Sequence, residues 1–135
     1  MPSTPNDRRL TPLETLIMNA LWEDSPAAVR QIQERLMRVK PMAYNTVLTM
    51  MRILREKGFL TSERQGRADL YRPAVAREDV AQRSLADVMS AFFAGSAQSL
   101  VSQLLDAGSL SDEELAAIRK DVDRALKKRQ KGSAK

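Results

Sequence analysis

The sequence predicts a mainly α-helical fold with a small β hairpin: a winged helix-turn-helix domain followed by a C-terminal helical dimerisation region. Three observations support this prediction. Three segments with apolar residues at helical spacing come first, and the third of them is basic. A short stretch with strand-like residues around a central glycine follows, as in a hairpin. Three further amphipathic segments complete the chain, so helix, helix, basic helix and hairpin are followed by a helical tail.

Charge is distributed unevenly along the 135 residues, although the net charge is only +5. Residues 1–75 hold 12 Lys/Arg and 8 Asp/Glu, residues 76–126 hold 5 and 9, and residues 127–135 hold 5 and none. A basic front suits a polyanion, whereas an acidic segment is a poor surface to press against phosphates. The charges therefore favour a nucleic-acid contact in the front part of the chain.

The residue types that are missing exclude several classes of function. The sequence has no Cys and no His, which removes disulfides, thiol catalysis, zinc-finger ligand sets and His-based acid–base chemistry. We see no paired carboxylates and no glycine-rich phosphate loop, so we predict no catalytic residues, no metal, no cofactor and no enzyme. No apolar run reaches the roughly 18 residues of a membrane span, and the N-terminus lacks the apolar core of a signal peptide. We therefore expect a cytoplasmic protein that does not enter a membrane.

Composition and patterning divide the chain into four segments. We expect a disordered N-terminus over residues 1–9, a winged-helix DNA-binding domain over residues 10–75, a helical dimerisation region over residues 76–126 and a basic flexible tail over residues 127–135.

The first two helices follow from capping signals and periodicity. The sequence TPLE places Thr11 at the N-cap of a first helix, with Glu14 positioned to bond back to the cap amide. This helix is expected to end near Glu23. A second helix is expected over residues 28–38, before the sequence RVKP breaks the chain.

The third helix, expected over residues 43–57 and closed by Gly58, is the candidate for reading DNA. It lies in the most basic stretch, since residues 38–72 hold 8 Lys/Arg and 3 Asp/Glu. Asn, Thr and Arg side chains can bond base edges in a major groove. The predicted recognition residues are Tyr44, Asn45, Thr46, Thr49 and Arg52.

A hairpin follows, with strands expected at Phe59–Glu63 and Ala68–Arg72 around a turn at Gln65-Gly66. Leu60 and Leu70 are expected to share one face. Polar and cationic groups at the turn suit phosphates or the minor groove. The predicted DNA contacts of the wing and flanks are Thr11, Lys40, Arg64, Gln65 and Arg67.

The tail contains three amphipathic helices. The first ends near Gly95, the second ends at Gly108, and the third begins with a capping box at Ser111. About 50 residues in such helices bury too little surface to be stable alone, so we expect a two-fold dimer with interlocking helices. The alternative is that the tail folds back on its own front domain. The predicted dimer-interface residues are Leu85, Val88, Met89, Phe92, Phe93, Leu100, Val101, Leu104, Leu105, Leu115, Ile118 and Val122.

Less specific interpretations remain open for each feature taken alone. An amphipathic helix with arginines is usually a solvated helix, Tyr44 could pack at the helix entry, and Thr46 could only cap. A winged helix can also serve as a protein-interaction module without sequence-specific DNA binding.

Four stretches carry a resemblance to a known family: LTPLETLIMNALWE, AYNTVLTMMRILREKGFL, GRADLYRP and LVSQLLDAGSLSDEELAAI. Over roughly residues 10–125 the chain resembles the penicillinase repressor family, of the BlaI/MecI and CopY type. The resemblance implies a homodimeric transcriptional repressor that binds a palindromic operator. It also implies base contacts at the third helix and a wing contact at Arg67. Leu48 stands where some relatives carry an arginine that faces the groove.

The resemblance further implies how repression is relieved. In the branch that regulates antibiotic resistance, a membrane-bound sensor metalloprotease leads to cleavage of the repressor in its dimerisation region. The similar stretch here is LVSQLL, near Gln103 and Leu104. Cleavage there would lower dimer affinity and, with it, operator binding. The copper-responsive branch uses a cysteine-rich C-terminus, which this chain lacks.

Overall fold

A computed structural model describes residues 9–133 as six helices and one two-stranded sheet. In chain order the elements are α1 (Pro12–Glu23), α2 (Val29–Leu36), α3 (Tyr44–Glu56), β1 (Leu60–Gln65), β2 (Ala68–Pro73), α4 (Arg77–Phe93), α5 (Ala97–Asp106) and α6 (Asp112–Ser133). The predicted fold class is confirmed. The prediction of disorder over residues 1–9 falls, but for its last residue, outside the described part of the chain.

The chain divides into two compact units, which meet within α4 between Leu85 and Ala86. The predicted boundary after residue 75 precedes α4. The first half of α4 instead groups with the first unit, because Val80 packs against the core of that unit. In addition, the indole Nε1 of Trp22 donates to the carbonyl of Val75 at 3.0 Å, and the Arg77 guanidinium lies 5.7 Å from the centre of the Trp22 ring.

The predicted capping box of α1 is confirmed, and it belongs to a larger polar cluster. The Thr11 hydroxyl accepts the amide of Glu14 at 3.2 Å, and the Glu14 carboxylate accepts the amide of Thr11 at 2.9 Å. The same buried carboxylate lies 3.0 Å from the ammonium of Lys57, just beyond α3. Removing one partner of such a buried pair leaves an uncompensated charge and costs about 3–5 kcal/mol, so this cluster fixes α1 against the end of α3.

The core of the first unit is shared by α1, α2, α3 and the hairpin. Full burial of one large apolar side chain stabilises the folded state by about 1.5–3 kcal/mol. The largest fully buried side chains are Ile17, Met18, Leu21, Ile32, Val47, Met51, Leu54, Leu60 and Tyr71. Arg35 of α2 joins α2 to α1, because its guanidinium donates to the carbonyls of Ala20 and Asp24 at the end of α1. The core therefore holds α3 with one side inward and the other side free.

The hairpin differs from its prediction in register. Antiparallel pairing sets Leu60 opposite Pro73 and Glu63 opposite Leu70, so Leu60 and Leu70 lie on opposite faces. The expectation that they share a face was wrong, because paired residues, not residues of similar type, share a face. Tyr71 is the core residue of β2. Its amide donates to the carbonyl of Ala27 at 2.8 Å, and its carbonyl accepts the amide of Ala27 at 2.9 Å. The turn centres on Gly66, whose φ of 64° suits glycine.

The last helix is longer than predicted. A flexible tail is predicted over residues 127–135, after a helical region that ends at residue 126, whereas α6 continues to Ser133. Lys, Arg and Gln are good helix formers, and cations are favourable near a helix C-terminus, so the charged segment extends the helix. Residues 134 and 135 lie outside the described part.

Candidate nucleic-acid interface

The outer side of α3 carries the predicted base-reading residues. Val47 and Leu54 are fully buried and fix the inner side of the helix. Asn45, Thr49 and Arg52 follow one another at i, i+4 and i+7 on the opposite side, and all three are exposed. The hydrogen-bonding groups of these side chains are therefore available to a partner that lies along α3.

The predicted residues at the edges of α3 occupy different positions. Thr46 is exposed near the start of α3. Tyr44 is 43% exposed and lies on the hairpin side of the helix. Ile53 and Glu56, which the sequence analysis did not propose, are also exposed beside Thr49 and Arg52. Their apolar and acidic types give no signal for DNA, and only the helical phase places them there.

An open groove of about 600 Å³ runs between α2, α3 and the hairpin. Tyr44, Leu48 and Arg52 form its α3 wall at i, i+4 and i+8. Arginines from all three elements line it: Arg30 of α2, Arg52 of α3, and Arg64 with Arg67 of the hairpin. The structure thus brings together the predicted residues Tyr44, Arg52, Arg64 and Arg67.

The groove is positive on balance, because its four arginines outnumber the two acidic residues that also line it, Glu34 and Asp69. Arg64 forms an ion pair with Asp69 across the hairpin at 3.6 Å. Within residues 9–133, neither Arg30, Arg52 nor Arg67 has an acidic partner within ion-pair distance. Three guanidinium groups therefore remain available to phosphates or base edges. The contribution of Arg30 and its neighbour Gln31 was missed, because a residue on α2 reaches this groove only through tertiary packing.

Arg55 is an exposed arginine of α3 that supports the hairpin. Its guanidinium donates to the Ser62 hydroxyl at 2.8 Å and lies 5.9 Å from the centre of the Tyr71 ring. The Tyr71 hydroxyl is buried and has no hydrogen-bond partner among the described residues. Arg55 therefore fixes the hairpin against α3, one turn from Arg52.

The remaining predicted DNA contacts lie apart from the groove walls. Lys40 is exposed in the loop before α3, and Gln65 is exposed at the end of β1. Thr11 lies beside the end of α3 through the Glu14–Lys57 pair, and its hydroxyl is occupied as the cap of α1. The structure does not bring Thr11 to the groove.

The second unit has no buried residue in its described part. Phe92 is the extreme case at 79% exposure, and Met89, Phe93 and Leu100 are only partly buried. The other predicted interface residues are all exposed: Leu85, Val88, Val101, Leu104, Leu105, Leu115, Ile118 and Val122. Taken by itself, the described part of the second unit therefore buries none of the apolar stripes of its helices in a core of its own.

The predicted cleavage region lies inside α5. Gln103 and Leu104 are both exposed in this 10-residue helix, which is followed by Gly108 at a φ of 68°. In the described residues, no group of three or more acidic, His or Cys side chains could hold a metal. No single described helix is long and apolar enough to cross a membrane. Helices α4 and α5 reach the length and apolar composition of a membrane span only when they are counted together, and the chain bends by 85° between them.

The chain resembles known proteins in its sequence and in its fold. Residues 10–124 match the family model described as penicillinase repressor. The transcriptional regulator BlaI of Mycobacterium tuberculosis is 32% identical over 83 residues, 61% of this chain and 60% of that relative. The penicillinase repressor of Bacillus licheniformis is 24% identical over 107 residues, 79% of this chain and 84% of the relative. The chain thus spans about three fifths of the mycobacterial relative.

Solved structures support the fold. The DNA-binding domain of the repressor BlaI matches with a TM-score of 0.50 and 24% identity, covering 58% of this chain and 93% of that domain. A structure of a hsRosR-S1 complex matches with a TM-score of 0.52 and 20% identity, covering 78% and 99%. At these identities the likeness shows the fold alone.

Proposed function

We propose that this chain, which belongs to the penicillinase repressor family, is a DNA-binding transcriptional repressor that recognises a palindromic operator as a homodimer. The observation that carries the proposal is the basic groove beside α3, to which three separate elements contribute arginines. Membership in a family of repressors also confirms the prediction that the chain is not an enzyme.

In this proposal α3 enters the major groove, whose width of roughly 12 Å accommodates a helix. Asn45 suits adenine and Arg52 suits guanine, while the methyl groups of Thr46 and Thr49 suit thymine. Leu48 lines the groove of the protein between α2, α3 and the hairpin, and its side chain offers only an apolar contact.

Contacts around α3 would set position rather than sequence. Arg64, Gln65 and Arg67 present polar groups from the hairpin, and Lys40 precedes α3. Such groups suit phosphate oxygens, which fix the register of a protein on the duplex. Tyr44 would contribute at the edge of this contact, whereas Thr11 caps α1 and is left out of it.

The second unit is the proposed dimerisation region. Its described helices expose apolar stripes that form no core within this unit, and a second copy related by a two-fold axis would cover them. Two half-sites related by the same axis would then explain a palindromic operator.

Relief of repression is proposed to occur by cleavage near Gln103 and Leu104, through a membrane sensor protease. Isolated helices shorter than ~12–15 residues are marginal, so α5 could unwind to enter a protease. Recovery of only the intact chain, by mass spectrometry of induced cells, would contradict this part of the proposal.

The experiment for the proposed function is a fluorescence-anisotropy titration of the protein against its own upstream DNA and a scrambled duplex, at two salt concentrations. We expect tighter binding to the upstream duplex and a steep loss of affinity with salt. Equal, weak binding to both duplexes would favour a protein-interaction module instead. A cytoplasmic location is part of the same proposal, because the operator lies there.

A further inference from the structure

Helix α6 has two distinct faces. Its apolar residues at i, i+3, i+7 and i+11 are Leu115, Ile118, Val122 and Leu126, and all are exposed. On the opposite side, the spacing of i, i+4, i+7, i+8 and i+11 aligns five cations. This basic face of α6 consists of Lys120, Arg124, Lys127, Lys128 and Lys131.

The basic face keeps its charge. Arg124 lies 3.7 Å from Asp121, and both side chains are largely exposed, so this pair neutralises little. The four lysines have no acidic partner at ion-pair distance in residues 9–133. No acidic residue follows Asp123 in the sequence. Because the segment is helical, the cations extend along a rod of about 16 Å from Lys120 to Lys131.

Helix stabilisation explains only part of this pattern. Cations near a helix C-terminus interact favourably with the helix dipole, but the effect is confined to the last turn. Lys120 and Arg124 lie more than one turn before Ser133, and the alignment of all five cations opposite the apolar stripe is not required by the dipole.

We propose that the basic face of α6 is a second, sequence-independent DNA contact that binds the phosphate backbone. This inference rests on the proposed function: a partner copy covers the apolar face and leaves the basic face outward. Along one strand, duplex DNA carries a phosphate about every 3.4 Å of axis, which is close to the average spacing of about 4 Å between the five cations of α6. Lysines are flexible point charges without the fork geometry that base reading uses, so phosphates suit them.

An anionic lipid surface is the competing partner, because amphipathic basic helices also bind membranes. The apolar face of α6 contains no Trp or Phe, and it ends at Leu126, before the last cations. In the proposed dimer that face is also occupied. These features favour DNA.

The test compares two full-length double variants with equal loss of charge. Lys127→Gln with Lys131→Gln removes two cations of the basic face, and Arg83→Gln with Arg119→Gln removes two exposed cations outside it. Gln keeps a good helix propensity, and both variants are first checked for helix content and dimer mass. Affinity is measured for upstream and scrambled duplexes over a salt series.

We expect the Lys127/Lys131 variant to bind both duplexes about tenfold more weakly at low salt, with the salt slope reduced by roughly 0.9 per lost phosphate contact. The Arg83/Arg119 variant should stay within about twofold of the parent chain.

Three results would overturn the inference. The first is an equal loss of DNA affinity in both double variants. The second is a loss of affinity in the Lys127/Lys131 variant that is confined to the upstream duplex. The third is a Lys127/Lys131 variant that keeps its DNA affinity but no longer binds vesicles of anionic phospholipid. If the parent chain showed no preference for its upstream DNA, the proposed function would fail instead. The phosphate contact would still be measured on the scrambled duplex.

Discussion

Replacing Ile118 by Asn should dissociate the dimer and weaken operator binding by about 100-fold or more. Ile118 lies in the middle of the apolar stripe of α6, and a two-fold dimer buries two copies of each substitution. An unpaired amide together with the lost apolar contact costs about 2 kcal/mol per copy, or about 4 kcal/mol per dimer. That corresponds to roughly a 1000-fold rise in the dimer dissociation constant. Sedimentation equilibrium measures the dimer, and anisotropy measures operator binding.

The matched control is Ala117→Asn, one residue earlier and exposed away from the apolar stripe. Both substitutions are neutral, so neither changes the attraction to phosphates. We expect the Ala117 variant to remain dimeric and to bind as the parent does. An Ile118→Asn protein that stays dimeric would refute the assigned interface. A monomeric one with full operator affinity would refute the need for dimerisation.

Arg52→Ala should weaken operator binding by about 1–3 kcal/mol per half-site, which is roughly 5-fold to 150-fold. The reason is that Arg52 is exposed on α3, lines the groove and has no acidic partner among the described residues. Binding to the scrambled duplex should change little. The same titration at fixed salt measures both duplexes.

Arg55→Ala is the control within the same helix. Its guanidinium bonds Ser62 and packs on Tyr71, so the substitution should lower the unfolding midpoint while leaving the preference for operator over scrambled DNA intact. If Arg52→Ala weakened both duplexes by the same factor, Arg52 would contact phosphate rather than a base.

Local signals in the sequence were sufficient for the helices of the first unit. The Thr11–Glu14 capping box and the Gly58 position after α3 depend on a few neighbouring residues, and both are found, with a φ of 91° at Gly58. The inner and outer sides of α3 follow from the same kind of local information, because helical spacing fixes them.

Features that depend on tertiary packing were not predictable in this way. Tyr71 is a core residue through the register of the hairpin, which the residue types alone did not specify. Arg30 joins the groove only because α2 packs beside α3. Arg55 resembles Arg52 in sequence and differs only in what its guanidinium contacts. The extension of α6 does not follow from composition, because a run of lysines and arginines is compatible with a flexible tail as well as with a helix.

Two-fold recognition by α3 requires that the spacing of the two half-sites match the spacing of the two α3 helices in the dimer. The upstream operator is compared with the same duplex carrying about 5 extra base pairs at its dyad, a half turn that places the half-sites on opposite faces of the DNA. We expect affinity for the longer duplex to fall towards that of a single half-site, by about 100-fold. Equal affinity for the two duplexes would contradict recognition by a dimer with two fixed α3 helices.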